Sequence, residues 1–199
     1  MLFFLLRNSE LREIFGRLGY PYDADTVQRN TAYYDRRTSH GSTLSFVTHA
    51  GVLAAIDPKS SWERFLIALH SDADDVQGGT TKEGIHMGVM SGTLDLVQRC
   101  YAGSFVRDGV LHFDPRLPSR LDGLSFPMQF RETPIQVTLA GHRLTLAVKP
   151  EGVSRPIRVG ACGDVRELCP GEQTTFELSQ NPAAVSFPAG PPPGNDSRK

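Results

Sequence analysis

The sequence predicts an α+β protein in which helices occupy residues 1–103 and a small antiparallel β-sandwich follows over residues 104–179. Up to about residue 102, apolar residues recur at the spacing of a helix, whereas from about residue 104 they alternate with polar ones, which is typical of strands. A run of helices followed by a run of strands indicates two domains or layers. Residues 180–199 are rich in Pro, Gly and polar residues without any period, and this composition predicts a disordered tail.

The helical part contains two start signals and two strongly apolar segments. Residues 25–28 (DTVQ) and 60–63 (SSWE) have the pattern of a capping box, in which a short polar residue is followed three positions later by Gln or Glu. Residues 44–56 and 85–97 are apolar on nearly every face. Helices of that kind are buried on all sides, so these two segments predict a helical layer that other helices surround.

The second part contains several short alternating segments at nearly regular spacing, which favours a small antiparallel sandwich. Asp108 and Gly109, and later residues 140–142 (AGH), supply hairpin turns. Cys162 and Cys169 bracket a further hairpin and are more typical of packing than of metal binding. The predicted strands cover residues 110–113, 124–130, 135–139, 144–148, 156–159 and 175–178.

Composition excludes several classes of protein. The chain has 199 residues with 22 acidic and 21 basic side chains, and its net charge of −1 argues against nucleic-acid binding and against a polybasic membrane anchor. Three cysteines are too few for a disulfide framework, so we expect a reducing, cytoplasmic location. The apolar opening over residues 1–6 is too short for a signal peptide or a membrane helix. We expect it to be the end of a buried helix that begins in a longer protein; the alternative is a short helix docked on the core.

The first candidate site is the hydroxyl loop, residues 38–43 (TSHGST), directly before the apolar segment that starts at Leu44. Free N–H groups and the positive end of the helix dipole make such a place suitable for an anion. The simpler alternative is that Ser42 or Thr43 is only the N-cap of the helix.

The second candidate site is the loop of residues 78–86 (GGTTKEGIH), which also precedes an apolar segment. Glu83 and His86 are three residues apart, so on a helix they would share a face and could act in acid–base chemistry or anion binding. The alternative for Glu83 is a capping box with Thr80. Glu83 and His86 have no further ligands at usable spacing, so the pattern predicts no metal site.

Three motifs in order resemble glycoside hydrolase family 65, which holds trehalose, maltose and kojibiose phosphorylases and related hydrolases. The motifs are residues 33–45 (YYDRRTSHGSTLS), residues 81–86 (TKEGIH) with 90–93 (MSGT), and residues 106–111 (VRDGVL) with 113–118 (FDPRLP). The resemblance implies that residues 1–103 are the last helices of an (α/α)6 catalytic barrel and that a C-terminal β-sandwich follows.

The resemblance also implies site residues. In the phosphorylases the hydroxyl loop and the histidine of the second motif hold the attacking phosphate, and the matching positions are Ser42, Thr43 and His86, with His40 and Gly41 in support. The family's general acid, a glutamate, lies earlier in the barrel, so this chain resembles half of an active site. We therefore expect residues 1–199 alone to be inactive.

The implied reaction is inverting cleavage of an α-linked glucose disaccharide of the trehalose, kojibiose or maltose type. Many phosphorylases have Asp and Ser where this sequence has Gly41 and Thr43, so hydrolysis stays open beside phosphorolysis, with Glu83 as a candidate for water activation. The implied partners are the disaccharide, inorganic phosphate as co-substrate in phosphorolysis, the N-terminal barrel segment and, in the full-length protein, a second copy. No cofactor or metal is implied. The alternatives are an inactive fragment and a stand-alone carbohydrate-binding or interaction module.

Overall fold

The computed structural model describes residues 2–150 and 155–178, and within them helices precede strands as the sequence predicts. Two further helical segments accompany the α-helices: a 3₁₀ turn over Thr80–Glu83 and a π-helical segment over Leu96–Tyr101. The α-helices are α1 (Leu2–Leu5), α2 (Asn8–Arg17), α3 (Ala24–Asp35), α4 (Leu44–Leu53), α5 (Pro58–His70) and α6 (Met87–Asp95).

Two helices begin earlier than their capping patterns predict. Asp57 caps α5, because its carboxylate accepts a hydrogen bond from the Ser60 backbone N–H at 3.1 Å and Pro58 occupies the first helical position. Asp23 caps α3 and exchanges hydrogen bonds with Thr26. The predicted starts at residues 25 and 60 are therefore wrong, because an aspartate two or three residues upstream already satisfies the first free N–H groups.

The two apolar segments form helices, but with different ends and less burial than predicted. α4 ends at Leu53 instead of residue 56, and α6 begins at Met87 instead of residue 85 and continues into the π-helical segment. Val47 is 2% exposed, whereas Leu44 is 46% exposed and Leu94 is 66% exposed. The expectation of burial on all sides is thus wrong for the part of the chain that the structure describes.

The apolar surface of these helices predicts self-association of residues 1–199. Exposed patches larger than a few hundred Å² promote association, and we expect oligomers in sedimentation velocity at micromolar concentrations. A monodisperse, cooperatively melting monomer would contradict this expectation. The exposed large apolar side chains on or beside α3 to α6 are Tyr33, Tyr34, Leu44, Ile67, Leu69, Ile85, Met87 and Leu94.

The strands form two four-stranded sheets, in the orders β1-β2-β6-β7 and β3-β4-β5-β8. One pair departs from the antiparallel prediction: β2 and β6 run parallel, with Leu111 opposite Val159. The chain leaves β2 for three strands of the other sheet before it returns, which places β6 beside β2 in the same direction. The strands are β1 (Ser104–Arg107), β2 (Val110–Phe113), β3 (Gly123–Phe130), β4 (Thr133–Ala140), β5 (Arg143–Val148), β6 (Ile157–Ala161), β7 (Asp164–Leu168) and β8 (Gln173–Glu177).

Two of these strands, β1 and β7, were not among the predicted strands. β7 is the strand between Cys162 and Cys169, so the two cysteines flank a strand and not a hairpin. Cys162 is exposed in the turn between β6 and β7 and therefore does not serve the packing role predicted for it.

Alternation of apolar and polar residues builds the core of the sandwich. Ile135, Val137 and Leu139 of β4 are at most 1% exposed, while the residues between them are only half buried. A second apolar cluster joins the helices, and the side chain of Leu117 packs against both clusters. The loop that holds Leu117 thus links the helices to the sandwich.

The turn between β3 and β4 is strained, because Arg131 and Glu132 both have positive φ angles of 50° and 66°. A two-residue hairpin turn of this kind favours Asn and Gly. We expect Glu132→Gly to raise the free energy of unfolding by about 1 kcal/mol, by relieving the steric cost of a left-handed residue with a Cβ. Glu132→Ala is the control and should bring no gain in urea denaturation; equal gains from both changes would show that the turn is not the cause.

Two expectations concern other parts of the chain. The predicted disordered tail, residues 180–199, lies outside the described residues. Within the described residues, none of the helices has both the length and the apolar character required to cross a membrane.

Candidate functional site

The two predicted loops precede helices that run side by side in the same direction. A Cβ atom on Gly92 of α6 would lie 2.8 Å from Cγ1 of Val47 in α4, and one on Gly51 would lie 3.2 Å from Leu96. From the first contact to the second, the position moves four residues toward the C-terminus on both sides, from 47 to 51 and from 92 to 96. The N-termini of α4 and α6 therefore lie at the same end of the helical layer, and both helix dipoles present their positive ends there.

α5 runs in the direction opposite to α4, so the C-terminal end of α5 lies near the N-termini of α4 and α6. Ser61 donates a hydrogen bond to the backbone carbonyl of Ala50, 2.7 Å away near the end of α4, while Arg64 reaches the loop before α4. The residues that follow α5 consequently lie beside the start of α6.

His86 is held at the N-terminus of α6 by Asp72, which follows α5. Nδ1 of His86 forms a short hydrogen bond with Oδ1 of Asp72, and the His86 backbone N–H donates to Oδ2 at 2.9 Å. The hydrogen bonds from His86 lower the pKa of the Asp72 carboxyl. With Nδ1 engaged, Nε2 is the ring atom left for a ligand, and the hydroxyl of Thr80 lies 3.4 Å from it.

Asp72 belongs to a short acidic run with Asp74 and Asp75, a pattern typical of a solvated helix end, but its own side chain is not solvated. Its side chain is 12% exposed and binds both the backbone and the ring of His86. The signal that could have found it is the need of a half-buried imidazole for a partner, but 14 residues separate the two.

The hydroxyl loop has no side-chain cap. Thr43 occupies the N-cap position and is 2% exposed, yet its side chain makes no capping hydrogen bond. Ser42 is exposed, and its backbone carbonyl accepts hydrogen bonds from the hydroxyl of Ser45 at 2.7 Å and from the Ser45 N–H at 3.0 Å. Thr43 is therefore the N-cap residue, as the simpler alternative states, but its side chain does not supply the hydrogen bond that a capping threonine usually makes.

A side-chain amide ties the two loops together. Nε2 of Gln77, in the segment between α5 and the 3₁₀ turn, donates to the backbone carbonyl of Gly41 at 3.0 Å. Ser42, Thr43 and His86 thus belong to connected segments at one end of the helical layer. Their mutual approach around an anion stays a prediction.

Behind the hydroxyl loop lies a cluster that the sequence did not reveal, here called the His40 cluster: Asp35, His40, His49 and Arg64. Nη1 of Arg64 is 2.9 Å from Nε2 of His40, and Nη2 of Arg64 is 3.3 Å from Oδ1 of Asp35. The same carboxylate oxygen lies 2.8 Å from Nδ1 of His49. Burial, the charge of Arg64 and the nearby His49 lower the pKa of His40.

Part of the His40 cluster has the composition of a metal site. One potential ligand atom from each of Asp35, His40 and His49 lies within 4.8 Å of the other two. However, Arg64 contacts two of these three side chains and already supplies the positive charge. The arrangement as it stands is a hydrogen-bonded ion cluster and not a set of free ligands.

Glu83 does not share a helix face with His86, contrary to the sequence prediction. It ends the 3₁₀ turn, and Gly84 follows with a φ angle of 130° before α6 begins. The predicted capping box is also wrong, because Gly79 and not Thr80 precedes the turn. Glu83 is exposed and has no hydrogen bond or ion pair within residues 2–150 and 155–178.

Comparison with known proteins accounts for both parts of the chain. Residues 1–95 match the central catalytic domain of glycosyl hydrolase family 65, and residues 105–167 match the C-terminal domain of the same family. The chain belongs to glycoside hydrolase family 65. The helices of this family member therefore correspond to the catalytic domain, and its sheets to the C-terminal domain.

Similar proteins include a glycosyl hydrolase and a phosphorylase. The chain is 42% identical over 168 residues to an uncharacterized glycosyl hydrolase of Mycobacterium tuberculosis. The aligned segment covers 84% of this chain and 13% of that protein. It is 33% identical over 179 residues to the trehalose 6-phosphate phosphorylase of Lactococcus lactis, covering 89% of this chain and 23% of that protein. The chain thus spans less than a quarter of the length of these relatives.

A solved structure supports the fold. A putative kojibiose phosphorylase from human microbiome superposes with a TM-score of 0.67 at 20% sequence identity, covering 80% of this chain and 23% of that one. At this level of identity the likeness concerns the fold.

Proposed function

We propose that residues 1–199 form the nucleophile-binding side of an active site that cleaves an α-linked glucose disaccharide with inversion. The observation that carries the proposal is the parallel packing of α4 and α6, which brings two helix N-termini and the Asp72–His86 pair to one end of the helical layer. Two positive dipole ends and a fixed imidazole suit an oxyanion nucleophile such as phosphate.

In this proposal each residue has a distinct task. Backbone N–H groups and hydroxyls at Ser42 and Thr43 bind the attacking phosphate, while Nε2 of His86 orients it from the second helix. Asp72 holds the ring by Nδ1, so Nε2 keeps one direction. A phosphate oxygen then attacks the anomeric carbon from the face opposite the leaving sugar. The glycosidic bond breaks, and its oxygen takes a proton from a carboxylic acid that lies outside residues 1–199. The names of relatives favour substrates of the trehalose or kojibiose type, and the maltose type follows only from the family resemblance.

Inorganic phosphate titrated into residues 1–199 by calorimetry tests this proposal. We expect saturable binding that His86→Ala removes. The matched control is His142→Ala, because His142 is exposed in the turn between β4 and β5, far from the helices in sequence. Binding that is equal in both variants, or absent from the native chain, would contradict the proposal.

The same chain should release neither glucose nor glucose 1-phosphate from any α-glucoside, since the proposal places the general acid elsewhere. Measurable turnover by pure residues 1–199 would require an acid within this sequence. It would therefore refute the half-site proposal without affecting the family assignment.

Hydrolysis is the second candidate, because Gly41 and Thr43 depart from the phosphorylase pattern and Glu83 is a free carboxylate near His86 in sequence. In an active protein that contains residues 1–199, we expect Glu83→Gln to leave kcat within about threefold, since Glu83 is exposed and is not needed to position phosphate. A loss of about 10²-fold or more, with no phosphate in the product, would instead assign water activation to Glu83.

A further inference from the structure

The His40 cluster connects three helices to the loop that precedes α4. Asp35 ends α3, His49 lies in α4, Arg64 lies in α5, and His40 lies in the hydroxyl loop itself. Contacts from Arg64 to His40 and from Arg64 to Asp35 join the loop to two of those helices. The loop's position therefore depends on how α3, α4 and α5 pack.

The chemistry of the groups decides which atoms of His40 carry hydrogen. A guanidinium has only N–H donors, so Nε2 of His40 must accept the hydrogen bond from Arg64. The neutral ring then has its proton on Nδ1, which donates to Oγ of Ser45 at 2.9 Å. Ser45 in turn donates its own hydrogen to the carbonyl of Ser42 at 2.7 Å. The result is a directed chain from Arg64 to Ser42.

The backbone and the ring face of His40 support the same arrangement. His40 has a φ angle of 51°, a conformation that residues with a Cβ rarely adopt, and its ring stacks on Phe46 at 4.6 Å with the planes 3° apart. Ring hydrogen bonds on both nitrogens and the stacking contact together maintain this conformation. The peptide units of Gly41 and Ser42 follow directly from it.

We infer that Arg64 and His40 are positioning residues that orient the Ser42–Thr43 backbone through Ser45, with His40 held as the neutral tautomer protonated on Nδ1. The inference deepens the proposed function, because it explains what keeps the phosphate-binding loop in place. The charged and titratable groups that face His40 are Asp35 from α3, His49 from α4 and Arg64 from α5. None of them needs to touch substrate.

Hydrogen–deuterium exchange of the peptide that covers residues 38–46 provides the first test. We expect Arg64→Gln to accelerate exchange of the Ser45 and Phe46 amides, which donate to the carbonyls of Ser42 and Thr43, by about tenfold, as for the loss of one hydrogen bond from a charged donor. The control is Arg29→Gln, which removes the same charge from an arginine of α3 that pairs with Asp23 and Asp25. Unchanged exchange in Arg64→Gln would overturn the inference.

Substitution of His40 provides a second comparison, which decides the question even if Arg64→Gln fails to fold. Asn tolerates the left-handed conformation and places an amide N–H near the position of Nδ1, but it loses the acceptor for Arg64, so the exchange rate of His40→Asn should lie between those of the native chain and His40→Ala. His40→Ala loses the donor and should exchange about as fast as Arg64→Gln. Equal protection in the Asn and Ala variants would overturn the inference.

The protonation site of the His40 ring can be measured directly, and a residue that served only packing would not require one particular tautomer. Magic-angle-spinning ¹⁵N NMR of sedimented, histidine-labelled protein, with His40 assigned by difference from His40→Asn, should show a neutral ring protonated on Nδ1 at neutral pH. A ring protonated on Nε2 or on both nitrogens would overturn the inference. So would stoichiometric binding of Zn²⁺ alone to His40 and His49, since the cluster would then be a metal site.

Phosphate calorimetry on the same samples separates this inference from the proposed function. Loss of phosphate binding in Arg64→Gln and His40→Ala, with partial retention in His40→Asn, supports both. Protection that follows the predicted order in a chain that does not bind phosphate supports the positioning network and overturns the proposed function.

Discussion

We expect Gly103→Ala to lower the free energy of unfolding by about 3 kcal/mol, the sum of the costs of a left-handed alanine and a backbone clash. Gly103 has a φ angle of 68° and lies between the end of the π-helical segment and β1. A Cβ atom there would overlap the carbonyl group of Asp114 and lie 2.9 Å from its backbone nitrogen. That nitrogen donates to the Gly103 carbonyl at 3.0 Å, so the two segments cannot separate without losing the bond.

Urea denaturation followed by the fluorescence of Trp62, the single tryptophan, measures this effect. Gly141→Ala is the matched control, because Gly141 has a φ angle of 55° but no neighbouring atom within 4 Å of the Cβ that alanine would add. The control should cost only about 1 kcal/mol, the backbone part of the penalty. Equal losses in the two variants would show that close approach at Gly103 is not decisive.

We expect from the proposed function that His86→Ala will lower the rate by about 10²–10³-fold in an active protein that contains residues 1–199, because an oriented contact in the transition state would be lost. The reason is the fixed direction of the ring, because Asp72 binds Nδ1 of the ring through Oδ1 and the backbone N–H of His86 through Oδ2. If the reaction is phosphorolysis, part of the loss appears as a higher KM for phosphate. Steady-state kinetics with phosphate and disaccharide varied separately measure both quantities.

Two comparisons make this prediction specific. His142→Ala should keep native kinetics, because His142 lies in an exposed turn of the sandwich. Asp72→Asn should reduce the rate less than His86→Ala, since an amide can still accept one of the two hydrogen bonds from His86. A native rate in His86→Ala would exclude His86 from the site and leave the family assignment untouched.

Local sequence was sufficient for six of the eight strands in the described part of the sandwich, but not for β1 and β7. Alternation over β4 and β5 places Ile135 and Leu146 in the core, and Asp108 with Gly109 forms the predicted turn with both φ angles positive. Helix starts were less accurate, because Asp23 and Asp57 are the caps although Asp25 and Ser60 nearby are also suitable capping residues. Which residue caps the helix depends on which side chain reaches the free N–H groups first.

The candidate site shows the same division. The residue types of the hydroxyl loop and of the loop before α6 were visible in the sequence, and the family motifs identified them as related. The partners that hold them were not: Asp72 is 14 residues from His86, and Arg64 is 24 residues from His40. Neither distance corresponds to a period of a helix or strand, so no local pattern could have paired these side chains.

The sequence by itself determined the order of helices and strands, the alternation that builds the sandwich core and the motifs that place the chain in its family. Tertiary structure alone decided that α4 and α6 run parallel, that β6 lies parallel to β2, and that Arg64 fixes the tautomer of His40. The physical reason is the separation along the chain over which each interaction acts. Backbone preference and side-chain period act over a few residues, whereas helix packing and paired charges depend on which distant segments fold against each other.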